Sequence, residues 1–304
     1  MSESVKELSQ EQMDFYQEEG YLIIENVFTP SDFEPFIGEL NALIDQKAKK
    51  AQSQGKLKCL FEDEPFARRL ACLGEQIDLK EIWPYTFLKY HSTEFFALMS
   101  HPPLLKLIES VIGPEILTHS QFTLRAKLPR QEATVVPWHQ DLAYLKADAV
   151  DSDMVNTWIP LVDATTENGC MQMIPKSHKL GLIEHKGSKY YPFGIQEEDL
   201  PLEGIVTCEV PQGGVILASN RTVHRSIANV SDHVRWSIDI RYCNPEQPTG
   251  RSAVPGFISQ SLKRPDAVTT EYTQWKNLIN ECLEKAVATD DKESAEILRT
   301  YVYD

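Results

Sequence analysis

Residues 234–242 read Val-Arg-Trp-Ser-Ile-Asp-Ile-Arg-Tyr. The alternation is that of a β-strand, whose successive side chains leave opposite faces of the pleat. Arg235, Ser237, Asp239 and Arg241 share one face; Trp236, Ile238, Ile240 and Tyr242 share the other. The apolar face belongs on a core. The charged face is either solvated at a sheet edge or turned inward for a purpose. An inward guanidinium has a specific use, because its planar fork clamps a carboxylate through two charge-assisted hydrogen bonds. Ser237, two residues on, can donate a further bond to the same carboxylate.

Eleven residues before Arg235 stands His224. It follows the turn Gln212-Gly213-Gly214 and the apolar run VILA (215–218), which places it at a strand end, at the mouth of a β-core. Further upstream, Pro137-Trp138-His139-Gln140-Asp141 sets an imidazole and a carboxylate two residues apart. On a strand these project from one face and can bind one metal ion together. His-x-Asp alone recurs by chance at surfaces. With His224 as third ligand it makes two histidines and a carboxylate on one side of a metal, the facial triad of non-haem Fe(II) oxygenases.

The surrounding chain agrees with a mainly β core. HSQFTLRAKL (119–128), DMVNTWIPLVD (153–163), GCMQMIP (169–175) and GGVILAS (213–219) are short apolar or alternating runs set between Gly, Pro, Asn and Asp. Such spacing suggests a sandwich or barrel. The flanks read as helical. Ser9 opens a short helix that Gly20 stops, and YLII (21–24) follows as a buried strand. Thr29-Pro30-Ser31-Asp32 starts a helix running to about Ala51, with Phe33, Phe36, Ile37, Leu40, Leu43 and Ile44 at helical spacing. Residues 52–85 have no clear period and read as a covering segment. One helix is expected from Thr93 to Val111, and another from Thr270 to Tyr301 after the Pro/Gly-rich stretch NPEQPTGRSAVPG.

Length alone, 304 residues, suggests two domains. The pattern favours a single one over 1–304: a helical flank with first strands (1–116), a β core with the metal site (117–245), and a C-terminal loop and helix (246–304). Thirty Lys and Arg against 45 Asp and Glu leave a net charge of −15, which opposes a nucleic-acid or anionic-membrane footprint. No apolar run approaches the roughly 20 residues of a membrane span. The N-terminus is polar and lacks an apolar signal core, so a cytoplasmic location is expected. The six cysteines, Cys59, Cys72, Cys170, Cys208, Cys243 and Cys282, form no C-x-x-C and read as free thiols.

HQD (139–141), WIPLVDATTENGCMQMIPKSH (158–178) and HRSIANVSDHVRWS (224–237), in this order, resemble the phytanoyl-CoA dioxygenase family. FYQEEGYLIIENVFTPSDFE (15–34) resembles the family's opening strand and helix. The resemblance covers residues 13 to about 260 and implies an Fe(II)/2-oxoglutarate-dependent oxygenase on a double-stranded β-helix, a cupin-like jelly roll. It makes His139, Asp141 and His224 the iron ligands. It makes Arg235 the clamp on the distal carboxylate of 2-oxoglutarate, with Ser237 and Ser226 nearby and Trp158 walling that site. Gln140 and Gly169 would face the substrate. The strand before His139 presents Gln121, Thr123, Arg125 and Lys127 at period two, as candidates to bond 2-oxoglutarate or substrate; Lys89 is a further one.

The sequence departs from the family at Gly213-Gly214, where Gly-Asp is frequent, and at Lys176, which replaces the glycine of Pro-Gly-Ser-His. Neither is a ligand position. His178 reads as a hydrogen-bonding core residue. Asp141 separates the chain from related halogenases, which carry Ala or Gly there and bind chloride in the vacated place. The expected reaction is therefore hydroxylation of a small molecule by O2, releasing succinate and CO2, with desaturation or ring formation as variants. The rival readings are an acyl-CoA 2-hydroxylase, a non-catalytic jelly-roll ligand-binding protein, and a cupin metalloenzyme without 2-oxoglutarate. A coenzyme A thioester needs a basic rim, and no Lys/Arg cluster stands out. Segments 52–85, 183–204 and 246–260 are the expected covers of the pocket.

Overall fold

The computed structural model describes residues 7–83, 90–187, 189–191, 193–252, 254–299 and 302–303. Lys89 lies outside them. The helices are α1 (Gln10–Glu19), α2 (Pro30–Ser53), α3 (Phe66–Leu73), α4 (Thr93–Met99), α5 (Pro102–Ile112), α6 (Tyr272–Ala288) and α7 (Lys292–Arg299). The strands are β1 (Tyr21–Ile24), β2 (Tyr90–His91), β3 (Ile116–Thr118), β4 (Thr123–Lys127), β5 (Met154–Pro160), β6 (Met171–Met173), β7 (Val206–Cys208), β8 (Val215–Ser219), β9 (His224–Ser226), β10 (Arg235–Cys243), β11 (Phe257–Gln260) and β12 (Val302–Tyr303).

A seven-stranded antiparallel sheet runs β1-β8-β5-β10-β3-β11, with β4 also paired to β10. A three-stranded sheet, β7-β6-β9, faces it. The antiparallel sheets with helical flanks are the expected jelly-roll core. β10 is the hub. Its apolar face is fully buried: Trp236 stacks on Phe66 with centroids 4.8 Å apart and meets Trp83 edge-on at 4.9 Å. The Tyr242 hydroxyl donates to the Met99 carbonyl at 2.7 Å. Its other face looks towards the small sheet. Register then settles what shares that face, because residues directly opposite in an antiparallel pair point the same way. Arg235 faces Lys127, Ser237 faces Arg125, Asp239 lies between Thr123 and Trp158, and Arg241 faces Asn156.

The flanks depart from expectation in three places. The helix expected over Thr93–Val111 breaks into α4 and α5, because Pro102 starts a new first turn and its ring cannot continue the old one. The C-terminal helix likewise divides at Thr289–Asp291, where Asp290 adopts a left-handed φ of 53°. Segment 52–85 is no loose cover. It contains α3, which buries Leu70, Cys72 and Leu73 and holds Arg69 against Asp45 at 2.8 Å. α2 follows its apolar spacing, burying Phe33, Phe36, Leu40, Ile44, Ala48 and Ala51. Among the described residues no single helix is long and apolar enough to cross a membrane.

Candidate functional site

The expected strand through Pro137–Asp141 is reduced to one antiparallel bridge between His139 and His224, each donating its backbone N–H to the other's carbonyl at 3.0 Å. Asp141 then opens a 3-10 turn (Asp141–Tyr144) instead of continuing a ladder. Convergence therefore comes from the bridge and the turn, not from a continuous pleat. The candidate ligand atoms of His139, Asp141 and His224 all lie within 4.8 Å of one another. His139 Nε2 is 3.8 Å from Asp141 Oδ1, and His224 Nε2 is 3.9 Å from Asp141 Oδ2.

Each imidazole is oriented by its own backbone. His139 Nδ1 lies 2.9 Å from the Pro137 carbonyl, and His224 Nδ1 lies 2.9 Å from the Thr222 carbonyl. A carbonyl only accepts, so Nδ1 carries the proton and Nε2 turns its lone pair to the centre. Burial, aided by His224, pushes the His139 imidazole down to about 3, against the pull of Asp141. His139 is thus neutral at neutral pH, as a metal ligand must be. Burial works to raise the Asp141 carboxyl, but Arg241 and the two histidines hold it well below the usual carboxylate range. Arg241 Nη2 donates to Asp141 Oδ1 at 2.6 Å, and Asn156 Nδ2 donates to Oδ2. Two imidazoles with Nε2 turned to the centre and one ionised carboxylate, all buried, fit a divalent metal that keeps open positions.

The same pocket contains Arg235 at its other end. Met171, Met173, Ile216, Ala218, Trp158 and Ser226 line it between the two sheets. Three guanidiniums reach the pocket face of the large sheet. Arg125 meets Asp239 at 2.6 Å and Arg241 meets Asp141 at 2.6 Å. Arg235 differs. Its Nη1 donates to Ser237 Oγ at 2.6 Å and its Nε to the Gly169 carbonyl at 3.3 Å, both neutral acceptors. It lies over the Trp158 ring at 5.0 Å. Burial pulls Arg235 down to about 10 against the opposing pull of Asp239. A buried guanidinium whose hydrogen bonds among the described residues go to neutral groups is suited to pair with an anion.

Other expected site residues go elsewhere. Gln140 is fully buried, and its side chain ties loops: Nε2 donates to the Gly181 and Arg221 carbonyls, and Oε1 accepts from Ile183 N. It does not face the pocket. Gly169 lies beneath Arg235, not beside the triad. A Cβ there would meet Lys127 Cδ at 2.5 Å and the Ile227 carbonyl at 2.7 Å, and its φ of +89° is left-handed. Gln121, Thr123 and Lys127 do not line the pocket; of that strand only Arg125 does. Lys127 turns its Nζ to the Thr134 carbonyl at 2.8 Å. Burial first, then Arg235 and Arg125, bring it down to about 6. Lys176 adopts φ 63° where glycine is usual, held by Glu18 and Glu19 at 3.0 and 3.5 Å. His178 bonds the Gln17 carbonyl at 3.1 Å and pins α1, a hydrogen-bonding role as expected, but it is half-buried and not part of the core.

Asn156 and Arg241 line the pocket and Tyr144 stands beside His139, but none was singled out for the site. Arg241 carried a signal, since it shares a face with Arg235. Asn156 carried none, because its place depends on which strand pairs with β10.

Comparison with known proteins gives one answer. The family described as phytanoyl-CoA dioxygenase (PhyH) matches residues 16–237. The rat phytanoyl-CoA dioxygenase domain-containing protein 1 is 27% identical over 258 residues, covering 75% of this chain and 87% of that one. A non-heme monooxygenase, ThoJ, superposes with a TM-score of 0.62 at 17% identity, over 95% of this chain and 99% of that one. The epimerase SnoN, solved with Fe3+, α-ketoglutarate and nogalamycin RO, superposes with a TM-score of 0.51 at 21% identity, over 79% and 86%.

Proposed function

The chain belongs to the phytanoyl-CoA dioxygenase family, one of Fe(II)/2-oxoglutarate-dependent oxygenases, and on that premise we propose that it hydroxylates a small molecule with O2, releasing succinate and CO2. The observation that carries this reading is the shared pocket: a two-histidine and carboxylate triad at one end, and at the other a buried Arg235 whose hydrogen bonds among the described residues go to neutral groups. A dicarboxylate has the matching shape, one end for a metal and one for a guanidinium. SnoN, with iron and α-ketoglutarate, lends the same fold as precedent.

His139, Asp141 and His224 would hold Fe(II), and the bound metal supplies oxygen activation. The remaining work falls to the chain. Arg235 receives the distal carboxylate of 2-oxoglutarate as a bidentate pair, and Ser237 holds the guanidinium by accepting from Nη1. Ser226 Oγ accepts the backbone N–H of Val136 at 3.1 Å while lining the pocket, so its own hydrogen can point to the cosubstrate. Trp158 covers Arg235 on one side and shuts out water, which strengthens the charge pairing. Arg241 and Asn156 fix the Asp141 carboxylate, each holding one oxygen. With Asp141 occupying its position as a carboxylate, halide has no vacated place, and oxygen transfer is the outcome favoured.

Anaerobic addition of 2-oxoglutarate to the Fe(II)-loaded protein should give a visible charge-transfer band. Admission of oxygen should then give succinate. Replacing His139 or Asp141 by Ala should abolish both. Succinate formation retained in either variant would sink the triad.

A further inference from the structure

Beside the metal triad stand aromatic side chains that the oxygenase reading leaves unused. Tyr144 closes the turn begun at Asp141, and its ring stands edge-on to the His139 imidazole, centroids 5.8 Å apart. Phe193 stands edge-on to Tyr144 at 5.5 Å. The stretch bearing Phe193 is anchored to the peptide that carries two of the triad residues. Ile183 N donates to Gln140 Oε1 at 2.8 Å, and Ile195 N donates to the Trp138 carbonyl at 2.7 Å. Lys186 and Gly194 form an antiparallel bridge that closes its base. The aromatic groups are thus held beside the metal site by the same backbone that builds it.

Two properties of this stretch point to what it contacts. It exposes large apolar side chains: Leu180 at 55%, Leu182 at 51%, Tyr190 at 43% and Phe193 at 40%. Apolar surface exposed on a stretch anchored to the triad-bearing peptide marks a place built to be covered by a ligand. Its cations, in contrast, each have a carboxylate partner. Lys176 and Lys179 meet Glu18, Lys186 lies near Glu184 and Asp199, and Lys189 meets Glu132. A nucleotide's phosphates would have to displace these carboxylates one by one.

We propose that Tyr144 and Phe193 form the substrate-selecting wall of this pocket, and that it takes a substrate with an uncharged, apolar body rather than a nucleotide-bearing thioester. The proposal rests on the oxygenase reading above and names the substrate class of that site.

The test is a fluorescence titration of the full chain, loaded with Mn(II) and 2-oxoglutarate, with the neutral probe N-phenyl-1-naphthylamine, and with free coenzyme A as competitor. Saturable binding is expected, with no displacement by coenzyme A. Phe193→Ala should weaken the probe roughly tenfold, the scale of one lost aromatic contact. Tyr144→Ala should act in the same direction, and Phe193→Leu should recover part of the loss. Leu262→Ala should change nothing, although Leu262 is 73% exposed and more exposed than any residue of the wall. Displacement by coenzyme A, wild-type affinity in Phe193→Ala, or an equal loss in Leu262→Ala would each overturn the proposal. Succinate formation by the wild-type chain is measured beside it. Its absence counts against the oxygenase reading alone, whereas probe failure with succinate present counts against the wall alone.

Discussion

Replacing Lys127 by methionine asks whether the amine beside the anion pocket is charged. Lys127 is 2% exposed and sits opposite Arg235 on the neighbouring strand, with Arg125 two residues away. Burial and these guanidiniums bring it to about 6 from 10.5. At pH 7 the folded chain therefore holds a neutral amine and the unfolded chain a charged one. Deprotonation from 10.5 to pH 7 spans about 3.5 pH units at about 1.4 kcal/mol each, so folding carries a cost of about 5 kcal/mol. Methionine fills similar volume and avoids that cost, but loses the hydrogen bond to the Thr134 carbonyl, worth about 1 kcal/mol. The variant should be more stable at pH 7 by about 4 kcal/mol. The sign of the pH dependence follows from proton counting. Between about 6 and 10.5 the unfolded chain binds one proton more, so wild-type stability rises with pH by about 1.4 kcal/mol per unit. The methionine variant lacks this slope. Urea unfolding of both proteins at pH 7, 8 and 9 should show the gap narrowing by about 3 kcal/mol. Parallel stabilities across that range would mean that Lys127 is charged in the fold, and the reasoning would fail.

Three other substitutions test the centre. Arg235→Lys keeps a charge but removes the fork, and should weaken 2-oxoglutarate binding to the Mn(II) protein about 100-fold by calorimetry, with little change in melting temperature; unchanged affinity would refute the clamp. Asn156→Leu strips one hydrogen bond from Asp141 and should lower Mn(II) affinity by about 10- to 100-fold in an electron paramagnetic resonance titration; a change under about twofold would remove Asn156 from the support of that ligand. Gln140→Leu cuts the ties to Gly181, Arg221 and Ile183, and should speed proteolysis within 181–195. An unaltered cleavage rate would show that other contacts hold that segment.

What the sequence revealed and what it hid divide along one physical line. β10 was legible because period-two alternation is local: nine residues suffice to separate Trp236, Ile238, Ile240 and Tyr242 from Arg235, Ser237, Asp239 and Arg241. The triad was legible through residue type and order, and Arg235 through its place on that strand. The roles of Gln140, Gly169 and Lys127 were not, because each depends on which neighbour arrives from far along the chain. Gln140 is claimed by carbonyls about 40 and 80 residues away. Asn156 became a support of Asp141 only through the β5–β10 register. Helix breaks at Pro102 and Asp290 were local in origin, yet the apolar spacing on either side masked them.

The net charge of −15 suggested little about an anion site, and the pocket explains why. Charge there is allotted residue by residue. Arg125 is compensated by Asp239 and Arg241 by Asp141, and burial beside Arg235 and Arg125 pulls Lys127 down to about 6. Arg235 lies over Trp158, and its hydrogen bonds among the described residues go to a hydroxyl and a carbonyl. A charged Lys127 would set a second buried cation opposite Arg235, a repulsion that a bound anion would only partly relieve. Had Asp239 paired with Arg235 instead of Arg125, the clamp would be closed before any cosubstrate arrived. The register of β4 against β10, which sets Arg125 opposite Ser237, therefore does more than build a sheet. It decides which guanidinium on this face remains open to a carboxylate.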